Sequence, residues 1–119
     1  MKAVTLNDEL MCRTRSGNKI YWLITSEMGA PGFELRYIEI PPGGRSSRGS
    51  HAHEHEVFIV SGRGRIAGKF PDTPLSPGMA VFVPGNEEHQ WINDNTREPF
   101  GFICVVPKGA EAESKPPCS

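Results

Sequence analysis

The chain lacks any bulk charge bias: 13 basic and 14 acidic side chains in 119 residues leave a net charge of −1. That balance argues against a polybasic nucleic-acid binder and against an acidic disordered protein. There is no apolar run near the ~18 residues of a membrane span. The start, MKAVTLNDEL, carries no apolar stretch behind its lysine, as a leader would. The reading is a soluble cytoplasmic protein with neither membrane nor nucleic acid among its partners. Cysteine is scarce, and Cys12, Cys104 and Cys118 are odd in number and widely spaced. Neither a disulfide framework nor a CxxC metal clip is indicated, so free thiols in a reducing cytosol are expected. Cys104, inside Phe102-Ile103-Cys104-Val105-Val106, reads as a small core residue with no nucleophilic role.

Chain punctuation, by contrast, is abundant. Thirteen glycines and eleven prolines leave little room for long helices. The periodicity is that of strands. Phe33–Ile40 alternates, with Phe33, Leu35 and Tyr37 on one side, which predicts a strand with one buried face that ends at Pro41-Pro42-Gly43-Gly44. Further strands are expected in the apolar runs 20–25, 57–60, 79–83 and 100–106, which are rich in β-branched and aromatic residues. Turn signals separate them, among them Ser61-Gly62-Arg63-Gly64, Pro71-Asp72-Thr73-Pro74 and Pro84-Gly85-Asn86; the stretch Gly62–Arg65 reads as a hairpin turn. Strands at these spacings suggest an antiparallel sandwich or barrel. Beyond about Gly109 the tail is polar and aperiodic, and disorder is expected there.

All four histidines fall in two short segments: His51, His53 and His55 in SHAHEHEVFIVSG, and His89 in PGNEEHQWIN. On a strand, residues two and four apart project to one face, so the first three can point the same way. Neutral imidazole is the commonest ligand for mid-to-late first-row divalent metals, and a fourth ligand from a distant segment closes a site onto a fold. A solvated charged edge with an unrelated loop histidine is the plainer alternative.

The flanking residues carry a resemblance. Gly78, Pro84, His89 and Asn93 fit the second cupin motif, G-x5-P-x-G-x2-H-x3-N, with Asn86 where that motif has glycine. Gly43-Gly44 before the histidine cluster and Gly62 after it correspond to the first motif, G-x5-H-x-H-x3,4-E-x6-G. The chain resembles a small single-domain cupin of the conserved-barrel type over roughly residues 19–107. The resemblance implies an all-β jelly-roll barrel (19–107) behind a short N-terminal arm (1–18), with a flexible tail (108–119). It also implies one divalent transition metal near the barrel axis, a small-molecule ligand and a homodimer. The candidate ligands are His51, His53, His55 and His89.

The first motif departs from the family pattern. Counted back from Gly62 without a gap, His55 takes the glutamate position, His51 the second histidine position, and Gly49 leaves the first one vacant. His53 is then a solvent-facing turn residue or a substitute that swings into the vacancy. The other register pairs His51 with His53 and makes Glu56 the carboxylate, at the expense of a turn between strands and against strand parity. A set of three neutral imidazoles leaves the charge of the metal uncompensated and favours polarising a substrate oxygen or lowering the pKa of bound water. Zn, Ni, Fe, Mn and Co all suit it. The chemistry expected is that of a dioxygenase, isomerase, lyase or decarboxylase acting on a small oxygenated metabolite, with a non-catalytic binding module as the alternative. Trp91, which shares parity with His89, and Tyr37 are candidates for lining the pocket or for core. Glu54 and Glu56 are candidate bases or solvated edge residues.

Overall fold

In a computed structural model, which describes residues 1–69 and 71–118, the apolar runs become strands of two antiparallel sheets. The strands are β1 (Met11–Arg13), β2 (Lys19–Ile24), β3 (Phe33–Ile40), β4 (His55–Ser61), β5 (Gly64–Gly68), β6 (Thr73–Leu75), β7 (Ala80–Val83), β8 (His89–Ile92) and β9 (Phe100–Pro107). The larger sheet has the order β1-β2-β3-β9-β4-β7, and the smaller has the order β6-β5-β8. The sheets face each other across a core that includes Ile40, Val57, Ile59, Trp91, Phe100 and Phe102. The all-β fold expected from the punctuation and the strand period is the one observed. Among the described residues, no helix is long and apolar enough to cross a membrane.

Turn chemistry sets where the strands stop. Gly62 has φ +72°, and a Cβ there would collide with the carbonyl of Pro99, so only glycine fits. The turn at Gly62 is not a hairpin, as expected for 62–65, because it passes the chain from β4 in one sheet to β5 in the other. Asn86 sits at φ +67°, which explains how it replaces the motif glycine: asparagine tolerates the left-handed region better than most residues. Asn93 is buried and ties three loops together, its amide Nδ2 donating to the carbonyls of Ile40, Pro41 and Glu98 at 3.1, 3.2 and 2.9 Å.

Two expectations are corrected. On β3, Phe33, Leu35 and Tyr37 do share a face, but it is the outer one; Phe33 is 69% exposed, while Glu34 and Arg36 point inward at 0% and 3%. Two of the cysteines are not free thiols, since Cys12 and Cys118 form a disulfide and Cys104 alone stays free. The tail is described through residue 118. It folds back over the inward face of β2 and β3, where the Trp22 indole Nε1 donates to the Ser114 carbonyl at 2.8 Å and Lys115 pairs with Glu34. A buried carboxylate needs a cation, and the tail provides it. Of the inward polar residues of β3, Glu34 pairs with the tail, while Arg36 donates to Cys104 Sγ and lies over the Trp22 ring. Burial pushes the Glu34 carboxyl up, but Lys115 and the backbone N–H groups of Ser26 and Gly109 outweigh it and hold it below its ordinary value.

Candidate metal centre

The two histidine segments meet because their strands lie in opposite sheets. His55 opens β4 on its inward face, alternating with the exposed Glu56, and is 5% exposed. His89 opens β8 of the smaller sheet and is 8% exposed. The turn carrying His51 and His53 docks on the Pro84–Glu87 turn, where Asn86 N–H donates to the His51 carbonyl at 2.6 Å. A Cβ on Gly85 would collide with the Ala52 carbonyl, so glycine there permits the approach.

The four imidazoles form one cluster. The rings of His51 and His53 stack with centroids 3.8 Å apart, and the His51 ring stands edge-on to His55 and His89 at 4.6 and 5.2 Å. The His55 and His89 centroids are 5.3 Å apart. One donor atom each from His51, His53, His55 and Glu111 lies within 4.8 Å of the other three. His89 flanks this group. Glu111 comes from an aperiodic segment far downstream, and no local sequence pattern marks it.

The hydrogen bonds orient the rings. Nδ1 of His51 contacts the His53 carbonyl at 2.9 Å, and Nδ1 of His89 contacts the Glu87 carbonyl at 2.9 Å. A carbonyl only accepts, so both Nδ1 atoms carry a proton and Nε2 is the nitrogen left to ligate. That is the arrangement found on metal-ligating histidines. The Nε2 atoms of His51 and His55 lie 2.8 Å apart, so His55 Nε2–H donates to His51, and its Nδ1 then accepts from the Cys104 thiol at 3.2 Å. The sulfur in turn accepts from Arg36 at 3.1 Å. Burial, and next the Arg36 charge, push the His55 pKa down to about 3, so this ring is neutral and competent as a ligand. Burial pushes the Cys104 thiol up, with Arg36 opposing. The donor set fits a divalent transition metal: imidazoles, two of them held with the proton on Nδ1, beside one carboxylate.

The remaining candidates separate cleanly. Gly49 lies directly opposite His89 in an antiparallel bridge, with N–H to carbonyl distances of 3.2 and 3.0 Å, and a Cβ there would meet nothing within 4 Å. Its side-chain position therefore opens on the His89 face. Glu56 faces out, and its bond with Glu54 holds its carboxyl above the ordinary value. Tyr37 lies on the outer face of β3, its hydroxyl 3.3 Å from Ser61 Oγ, and does not line the cluster. Trp91 sits 6.2 Å from His89 and packs on Phe102 at 4.8 Å, joining the centre to the core. A cavity of about 320 Å³ with Ile66, Leu75, Val81 and Val83 among its walls reaches His89.

The chain belongs to the Cupin domain family, which matches residues 36–106. It is 38% identical over 73 residues to 1-methylthio-D-xylulose 5-phosphate methylsulfurylase of Rhodospirillum rubrum, a match that takes in 61% of this chain and 46% of that protein. The chain thus spans about half the length of this curated relative. Among solved structures, it is similar to a polyketide cyclase from Streptomyces resistomycificus, with a TM-score of 0.81 and 26% identity over 90% of this chain and 79% of the other. It also resembles a cupin-2 domain protein from Rhodospirillum rubrum, with a TM-score of 0.71 and 31% identity over 92% and 70%.

Proposed function

Taking cupin membership as the premise, we propose that the chain is a mononuclear metal-dependent cupin acting on a small oxygenated metabolite. The reaction belongs to the dioxygenase, isomerase, lyase or decarboxylase class. The observation that carries this reading is the pair of backbone carbonyls that fix His51 and His89 with the proton on Nδ1. His51, His55 and His89 are the proposed ligands, with His53 at the rim. When bound, the metal supplies Lewis acidity and acidifies a coordinated water. The other tasks fall to the chain. His55 must give up its Nε2 proton and hold one at Nδ1, donating to Cys104. The cavity beside His89, with Lys69, Glu87 and Glu88 among its walls as well as Ile66, Val81 and Val83, is the proposed place for the substrate.

The activities named for the relatives, a methylsulfurylase and a polyketide cyclase, support enzymatic use of this architecture on oxygen-rich small molecules. A binding module without turnover is the second reading, favoured by the glycine at the first ligand position. A homodimer goes with either reading. Its support is the exposed apolar outer face of β4 and β7, where Phe58, Val60 and Phe82 are 48%, 44% and 61% exposed. The functional reading is tested by loading the untagged protein with Co2+ and titrating glycolate, a bidentate oxygen ligand. A saturable change in the visible cobalt spectrum is expected, and a spectrum unmoved by any bidentate oxygen ligand would overturn it.

A further inference from the structure

The C-terminal segment is fastened at five points. Gly109 N–H donates to Glu34 Oε1 at 2.9 Å, Glu111 Oε1 meets His53 Nε2 at 2.9 Å, and Ser114 accepts from Trp22. Lys115 pairs with the buried Glu34 and with Glu27, and its ammonium lies 5.4 Å over the Trp22 ring. Last, Cys118 is bonded to Cys12, which neighbours β2 through β1. Only one of these contacts reaches the histidine centre, and the residue that makes it, Glu111, brings a carboxylate within 4.8 Å of the His51, His53 and His55 donors. A glutamate in an aperiodic tail holds such a position only if the chain on both sides is anchored. Pro107 in β9 anchors one side, and Lys115 and the disulfide anchor the other.

We propose that residues 108–118 are a redox-controlled strap that delivers Glu111 to the metal as a carboxylate ligand. Resting on the metal-centre reading, this adds an anionic ligand from outside both cupin motifs and a switch over it. With the disulfide closed, Glu111 offers one oxygen to the metal and the other to His53, and offsets part of the metal's positive charge. Cys118 is exposed and Cys12 is buried, so an incoming reductant meets the Cys118 sulfur first. A dithiol reductant opens the bond. Its thiolate attacks Cys118 Sγ and displaces the Cys12 thiolate, which takes up a proton. Its second thiol then resolves the mixed disulfide, leaving two cysteine thiols and the oxidised reductant, with two electrons transferred. The strap loses its covalent anchor, Glu111 withdraws, and a coordination position opens to substrate or water.

The test compares oxidised wild type, dithiothreitol-reduced wild type, Cys118→Ser and Glu111→Gln. Two quantities are read: Zn2+ affinity by chelator competition, and hydrogen exchange of amides 108–118. The reduced protein and Cys118→Ser should exchange faster in the strap and bind Zn2+ about tenfold or more weakly, a loss of the size expected when metal-site support is removed. Glu111→Gln should weaken Zn2+ binding similarly with its disulfide intact, and its reduction should add little. Zn2+ bound equally by all four forms would overturn the strap while leaving the metal centre standing. Unchanged exchange on reduction would overturn it as well. Failure of the oxidised wild type to bind Zn2+ would overturn both, because the strap would then have no metal to serve.

Discussion

At Gly49 the backbone and the missing side chain say different things. The backbone is paired with His89 as a ligand-bearing strand would be, yet the residue offers no donor. Since φ there lies outside the left-handed region and the Cβ site is open, Gly49→His adds an imidazole without strain. The expected outcome is Zn2+ binding tighter by roughly tenfold or more in chelator competition, with thermal stability held. Unchanged affinity in a folded variant would mean that residue 49 does not face the metal. That vacancy is legible in the sequence, because counting back from Gly62 leaves a glycine in the first ligand position. The outward direction of Glu56 agrees with the same ungapped register. What spacing did not reveal were Glu111, and the Arg36-to-Cys104-to-His55 chain of hydrogen bonds. The latter depends on the register that sets Arg36 opposite Cys104, and Cys104 opposite Val57, across three strands.

Among the elements, β4 carries the pH dependence. An unfolded His55 binds a proton below about pH 6.5, whereas in the fold burial and Arg36 hold it off until about 3. Between those values the unfolded state holds more protons, so stability falls as pH falls, by at most roughly 1.4 kcal/mol per unit. Glu34 on β3, with its carboxyl below the ordinary value, adds to the loss in the same direction at the acid end of that window. Urea unfolding of the metal-free protein from pH 7 to 4 checks this; a flat profile would contradict a buried neutral His55. The long strands β2, β3, β4 and β9 were legible from their apolar runs. The short β5 and β6 were not: Gly64–Gly68 begins and ends in glycine, and Thr73–Leu75 carries Pro74, so each resembles a turn. Alternation located β3 but could not choose its buried face. The buried face carries Glu34, whose cation partner, Lys115, comes from the distant tail.

For the whole molecule, the exposed outer face and the disulfide set the terms. The proposed homodimer would cover the patch containing Phe58, Val60 and Phe82, and light scattering should give about twice the 13.1 kDa of one chain. Phe82→Asp should shift the mass toward the single chain, and a mass near 13.1 kDa for the wild type at all concentrations would exclude the dimer. The compartment decides what the disulfide is for: in a reducing cytosol the strap is a switch, and in an oxidising space a permanent staple. Both cases depend on the centre that the strap serves, so the most direct measurement is metal content per chain. Protein purified without a histidine tag should carry about one divalent transition metal, His89→Ala should lose it, and His53→Ala should retain most of it. A folded wild type that neither carries nor takes up metal, or a His89→Ala variant that keeps its full complement, would contradict a centre built on His51, His55 and His89.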